Sequence, residues 1–204
     1  MRRPEVLLVR TGLANLAAVR AGLERAGFRP RASADPRVIE RAARVVLPGV
    51  GAFGPAMAEL RRTGLDDALR ARLAADRPTL AICLGLQLLC AGSAESPGVA
   101  GLGVVPGSVV RLAGARVPQL GWNRLEAPAD ARVLASGHVY YANSFALVRA
   151  PRGFLAAWSE HGRRFVGALE RGHLVACQFH PELSGPAGLT LLARALGTGG
   201  KLPC

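Results

Sequence analysis

The chain has 204 residues, half of them hydrophobic, which is enough to bury a full core and short enough for a single domain spanning residues 1–204. Its formal net charge of +12 would suit a nucleic acid, an acidic partner, a phosphorylated ligand or a plain basic surface. The arginines are scattered from Arg2 to Arg194 and aromatics make up only 5% of the chain, which argues against binding DNA or RNA.

After Arg2 and Arg3, the apolar run at residues 6–9 is too short for a signal-peptide core or a membrane span, so no membrane partner and a cytoplasmic location are expected. That run reads as a strand. A helical pattern follows with Leu16, Val19 and Leu23, Asn15 as its cap and Gly27 as its stop. Asp35-Pro36 opens a short helix, residues 45–47 form a buried strand, residues 55–75 are mostly helical with a break at Gly64, and residues 79–82 form another strand. Such alternation predicts a parallel sheet whose ligands collect at the carboxyl ends of the strands. Beyond Gly101 come short strand-like runs at residues 104–105, 109–112, 139–141, 145–148 and 174–177, separated by Gly and Pro. They read as an antiparallel or mixed extension of the same sheet, closed by a helix at residues 186–196. The expected fold class is α/β, a three-layer open mostly parallel sheet with helices on both faces and an antiparallel extension.

Cys83, Cys90, Cys177 and Cys204 show no paired spacing and read as reduced thiols. Cys83 ends a strand and is followed at once by Leu84-Gly85-Leu86-Gln87-Leu88-Leu89, which has helical spacing. On such a turn a nucleophile is exposed, and the helix N-terminus offers positive potential and a backbone N–H, both favouring thiolate. A small buried core residue is the other reading, since that is the usual fate of a free cysteine. Ala81 stands where an elbow of the G-x-nucleophile-x-G kind has its first glycine, and Gly85 supplies the second. His180 also lies at a strand end, with Glu182 two residues on and Pro181 fixing the backbone between them. Cys83, His180 and Glu182 therefore read as nucleophile, base and orienting acid, against the plainer alternatives of a structural histidine and a solvated loop charge. His138, His161 and His173 lack such company and receive no role. In Pro48-Gly49-Val50-Gly51-Ala52-Phe53-Gly54 the glycines let backbone amides approach a ligand, as a phosphate cradle, an oxyanion donor or only a tight turn. The loop lacks the Gly-Lys-Ser/Thr ending of a nucleotide-binding loop.

Together with Gly121-Trp122-Asn123 and Gln178-Phe179-His180-Pro181-Glu182, these motifs resemble the class I glutamine amidotransferases, and more narrowly the HisH family, glutaminase subunits of imidazole glycerol phosphate synthase. The similarity runs in order from about Val6 to Leu192. It implies attack by Cys83 on the side-chain amide of glutamine, ammonia release assisted by His180, a glutamyl thioester, and hydrolysis to glutamate. Backbone donors aimed at the tetrahedral oxygen are expected from the N–H of Leu84 and the Gly49-Val50 peptide; Gly49 can take either sign of φ and let that peptide rotate into place when the partner is loaded, so the isolated chain is expected to be nearly inactive. Gln87, Glu95 and the backbone of Gly51 would line the glutamine pocket, with Asn143, Ser144 and Phe145 where the family bears His-Ser/Thr-Tyr. Arg10-Thr11-Gly12-Leu13-Ala14-Asn15 keeps only Gly12 and Asn15 of the family's Asp-Tyr-Gly-x-Gly-Asn; Gln119 replaces a common histidine and Leu183 a common lysine, all near the expected subunit interface. The implied partner is a separate cyclase subunit, a (β/α)8 barrel that turns the ammonia into imidazole glycerol phosphate and an aminoimidazole carboxamide ribotide. No metal or redox cofactor is needed. The alternatives are a glutaminase serving another synthase and a non-catalytic interaction protein with this fold.

Overall fold

The computed structural model describes residues 3–10, 16–114 and 116–197. Its first half alternates strands and helices: β1 (Glu5–Val9), α1 (Leu16–Arg25), β2 (Arg29–Ser33), α2 (Pro36–Arg41), β3 (Val45–Leu47), α3 (Phe53–Thr63), α4 (Leu65–Ala74), β4 (Thr79–Ile82) and α5 (Leu84–Leu89). The second half is mostly strand: β5 (Cys90–Ser93), β6 (Val105–Arg111), β7 (Gln119–Leu125), β8 (Gly137–Asn143), β9 (Phe145–Ala146), β10 (Leu155–Glu160), β11 (Arg164–Arg171) and β12 (Leu174–Cys177). A 3-10 turn at Pro181–Leu183 and helix α6 (Gly185–Leu196) complete it.

Seven strands form the main sheet in the order β10-β11-β12-β4-β3-β1-β2. From β12 to β2 the pairing is parallel, whereas β10 and β11 add an antiparallel edge. The inner strands β3, β4 and β12 are buried along their whole length, which is why they read as continuous apolar runs rather than alternating ones. Their side chains still divide between two faces. Leu7, Val9, Val45, Leu47 and Ala81 pack with Phe53, Met57, Leu60 and Leu69 of α3 and α4, while Val6, Leu8, Val46, Leu80 and Ile82 pack with Val19 and Leu23 of α1 and with Leu191 and Leu192 of α6. This is the expected three-layer arrangement.

The start of β4 is fixed by an unusual group. The wholly buried Arg72 of α4 donates to Thr79 Oγ1 at 2.9 Å and to the carbonyls of Ile39, Ala42 and Pro78 at 3.1, 2.6 and 2.6 Å. Burial, with a smaller contribution from the Arg77 charge, pulls its pKa down to about 10, so it still carries its charge at neutral pH.

Several elements differ from the expectation. Residues 104–105 and 109–112 are not two strands, because residues 105–111 form the single strand β6. The strands β5, β6 and β9, and the pair β7 and β8, form two small separate sheets instead of extending the main one. The antiparallel extension is made by β10 and β11, and β12 enters the sheet parallel to β4. Asp35 caps α2 through its side chain, as expected, whereas Asn15 lies outside the described residues, as do the rest of residues 11–15 and Cys204. Among the described residues no helix is long and apolar enough to cross a membrane.

Candidate active site

Cys83 sits directly after β4 at φ 54°, ψ −110°, a left-handed conformation that costs a non-glycine residue on the order of 1–3 kcal/mol. Its neighbours hold it there. The Cys83 N–H donates to Cys177 O at 2.7 Å, and the Cys83 carbonyl accepts from Leu86 N at 3.0 Å, so the elbow joins the sheet on one side and starts α5 on the other. The end of β3 crosses the elbow in direct contact: a Cβ on Gly85 would stand 2.2 Å from Leu47 O, and one on Gly49 would stand 2.7 Å from both Gly85 N and Leu84 Cβ. Both positions therefore demand glycine, and the contact brings the residue 49–51 loop beside the Leu84 N–H. The loop's left-handed residue is Gly51, at φ +100°, and not Gly49, whose glycine is required by close approach.

The strand next to β4 delivers the second group. Cys177 of β12 lies opposite Ile82, and the chain continues through Gln178 and Phe179 to His180, whose N–H donates to Tyr140 O of β8 at 2.9 Å. The His180 Nδ1–H donates to Glu182 Oε1 at 2.8 Å, with both side chains buried. Burial alone would lower the imidazole pKa, but the hydrogen bonds and charges of Cys83 and Glu182 outweigh it and push it up to about 10. The arrangement favours an imidazolium beside the sulfur. The other described cysteines differ. Burial pushes the Cys90 thiol up to about 12 and raises Cys177 well above its ordinary value, leaving both as neutral core thiols.

Cys83, Leu84 and His180 open onto a cavity of about 270 Å³ that is also lined by Val50, Gly51, Gln87, Glu95, Asn143, Ser144 and Phe145. Every site residue named from the sequence is thus gathered here except two. Glu182 and Gly49 both line a second cavity of about 300 Å³, which shares Val50, Ala142 and His180 with the first. Leu120 and Leu183 line this second cavity, and four large apolar side chains are exposed around it: Leu120 (71%), Trp122 (58%), Leu183 (46%) and Val50 (37%). Glu95 has a structural task as well, since its Oε2 accepts from Phe53 N at 2.8 Å and so caps α3, whose own cap residue Ala52 has no side chain able to do so.

Sequence reasoning overlooked Gln178. Its Nε2 donates to Cys83 Sγ at 3.6 Å and its Oε1 accepts from Gln87 Nε2 at 3.1 Å, so it links nucleophile and pocket. Its place two residues before His180 on the same strand extension was the available signal. His173, expected to lack company, has it: its Nδ1 meets Asp76 Oδ2 at 2.9 Å on the surface, a partner 97 residues away in the chain. On the pocket side, Asn143 Nδ2 and Gln87 Nε2 both donate to Phe145 O. Asn143 Oδ1 and both polar atoms of Gln119, its cross-strand neighbour, are buried with no hydrogen-bond partner among the described residues.

A strained cysteine at a strand-to-helix turn, with a histidine and carboxylate from the adjoining strand, defines the thiol amidotransferase class. The sequence model described as glutamine amidotransferase class-I matches residues 20–196. The chain is 42% identical to imidazole glycerol phosphate synthase subunit HisH of a Thermus thermophilus strain, covering 95% of this chain and 96% of that one. It is 41% identical to the HisH subunit of Leifsonia xyli, covering 97% and 100%. It is also 41% identical to the chloroplastic imidazole glycerol phosphate synthase hisHF of Arabidopsis thaliana, of which it spans 34%. A solved glutamine amidotransferase superposes with a TM-score of 0.76 at 21% identity over 93% of this chain and 98% of that one, a likeness of fold. The chain belongs to the HisH family of class I glutamine amidotransferases.

Proposed function

We propose that this chain, as one amidotransferase domain over residues 1–204, hydrolyses glutamine through Cys83, His180 and Glu182, and that it does so as the glutaminase subunit of imidazole glycerol phosphate synthase. The observation that carries the mechanism is the Cys83 elbow facing an imidazole whose Nδ1–H is held by Glu182 at 2.8 Å. The sulfur attacks the side-chain carbonyl carbon of glutamine, and the electron pair of the C=O moves onto oxygen. The N–H of Leu84 and that of Val50, presented by the Gly49-Val50 peptide, receive this oxyanion, each such donor being worth roughly 3 kcal/mol. His180 gives its Nε2 proton to the departing amide nitrogen, so that ammonia leaves and a glutamyl thioester remains. It then takes a proton from water as the thioester is hydrolysed, which releases glutamate and restores the sulfur.

The first cavity suits the amino-acid end of glutamine. Glu95 offers a carboxylate to the α-ammonium, and Gln87, Gly51, Asn143, Ser144 and Phe145 line the same cavity. The second cavity gives the ammonia a way out, because it adjoins His180 and Val50 and opens among exposed apolar side chains of the kind that partners bury. On this reading the cyclase subunit docks over Leu120, Trp122 and Leu183, and the reaction takes place in the cytoplasm.

A diazo-ketone analogue of glutamine tests the assignment. It should label Cys83 and spare Cys90 and Cys177, whose thiols are buried and neutral. Labelling that persisted unchanged in Cys83→Ala would refute it.

A further inference from the structure

Among the described residues, the orienting carboxylate is held at one end only. Glu182 Oε1 accepts from His180 Nδ1, whereas Glu182 Oε2 is buried with no hydrogen-bond partner among the described residues. With one oxygen engaged by the imidazole, the placement of the carboxylate depends on how its backbone is fixed.

Helix α1 does the fixing. Arg25, in its last turn, donates from Nη2 to the backbone carbonyl of Glu182 at 2.9 Å. One turn earlier, Gly22 lets the helix lie flush against the same residue: a Cβ there would stand 2.7 Å from Glu182 Cβ and 3.1 Å from its Cα. On the other side of the 3-10 turn, Ser184 Oγ donates to His180 O at 2.6 Å and accepts from Tyr140 N at 3.0 Å, which holds the histidine to β8. The imidazole is therefore tied to one element and the carboxylate to another.

We propose that Arg25 is a positioning residue for glutamine hydrolysis, clamping the Glu182 backbone so that its carboxylate meets the His180 Nδ1–H. This rests on the triad reading above. The guanidinium touches neither substrate nor sulfur and acts through Glu182 alone, which gives it a signature that general stabilisation lacks.

The test is a double-mutant cycle in the complex with the cyclase subunit and its ligand, each variant assayed well below its melting temperature. Arg25→Ala should lower kcat by about tenfold, the rate equivalent of ~1.4 kcal/mol, with KM within about twofold. Arg25→Lys, which keeps a donor on a long stem, should recover to within about threefold of the parent. In a Glu182→Gln background, Arg25→Ala should cost less than about twofold, because the group it positions is already disabled. An unchanged kcat in Arg25→Ala, or the same tenfold loss in both backgrounds, would overturn the clamp while leaving the triad standing. Full turnover in Glu182→Gln alone would remove the triad reading and the clamp with it.

Discussion

The two walls of the proposed glutamine cavity are built differently. The reactive wall, Cys83 and His180, stands at the ends of β4 and β12, neighbouring strands in the parallel part of the main sheet, and the backbone around it is tied down by Cys83 N to Cys177 O and His180 N to Tyr140 O. The opposite wall, Asn143 to Phe145, comes from β8, β9 and the segment between them, which belong to the small outlying sheets. There the buried amides of Gln119 and Asn143 leave three polar atoms without partners among the described residues. A buried unmatched polar group costs roughly 1–3 kcal/mol, so the second wall gives up stability where the first invests it in a strained turn. Three of the unmatched atoms thus gather on the second wall, and one more, Glu182 Oε2, lies behind the first.

The largest effect that would test this contrast lies in the reactive wall. His180→Ala removes both proton transfers and should reduce turnover by at least 10³ or so, whereas Glu182→Gln leaves the imidazole in place and should cost less. Steady-state glutamine hydrolysis by folded variants decides it, and equal losses would mean that Glu182 does more than orient. Next comes the loop that abuts the elbow. Val50→Pro deletes one proposed oxyanion donor and should cost on the order of 10²–10³ in the activated complex while leaving Cys83 open to the diazo-ketone. Full activation of this variant would exclude Val50 from the oxyanion hole.

The smallest effect concerns the opposite wall. Gln119→Met keeps the shape of the side chain and removes two buried unmatched polar atoms, so unfolding in denaturant should show it more stable by about 1 kcal/mol, with kcat changed only a few fold. A clear loss of stability would show that the Gln119 amide is satisfied in solution and that the two walls are equally well tied.

The legibility of the sequence follows the same division. Residues 6–9, 45–47 and 79–82 announce buried parallel strands because both faces must be apolar. The strand β2, with the sequence RPRAS, and β10 carry no such pattern and draw their regularity from the neighbours they pair with, whereas residues 165–169 of β11 are an apolar run that was legible and passed over. The insertion of β12 between β4 and β11 is likewise a fact of topology that no local window contains. In the site, the cysteine and the His-Pro-Glu segment were legible because each is a short motif at a strand end. Gln178 and Arg25 were not, since their hydrogen-bond partners lie 91 and 157 residues away.

The placement of β12 also bears on how the molecule is made. Until that strand arrives, β4 is the open edge of a nascent sheet, and the turn bearing Cys83 lacks the carbonyl of Cys177 that holds it at φ 54°. Cys83 and Gln178 are 95 residues apart, an interval of roughly 5–20 s at ordinary rates of synthesis. For that time no imidazole stands beside the sulfur. On the proposed mechanism, Cys83 gains its base only once β12 and the segment leading to His180 have been made.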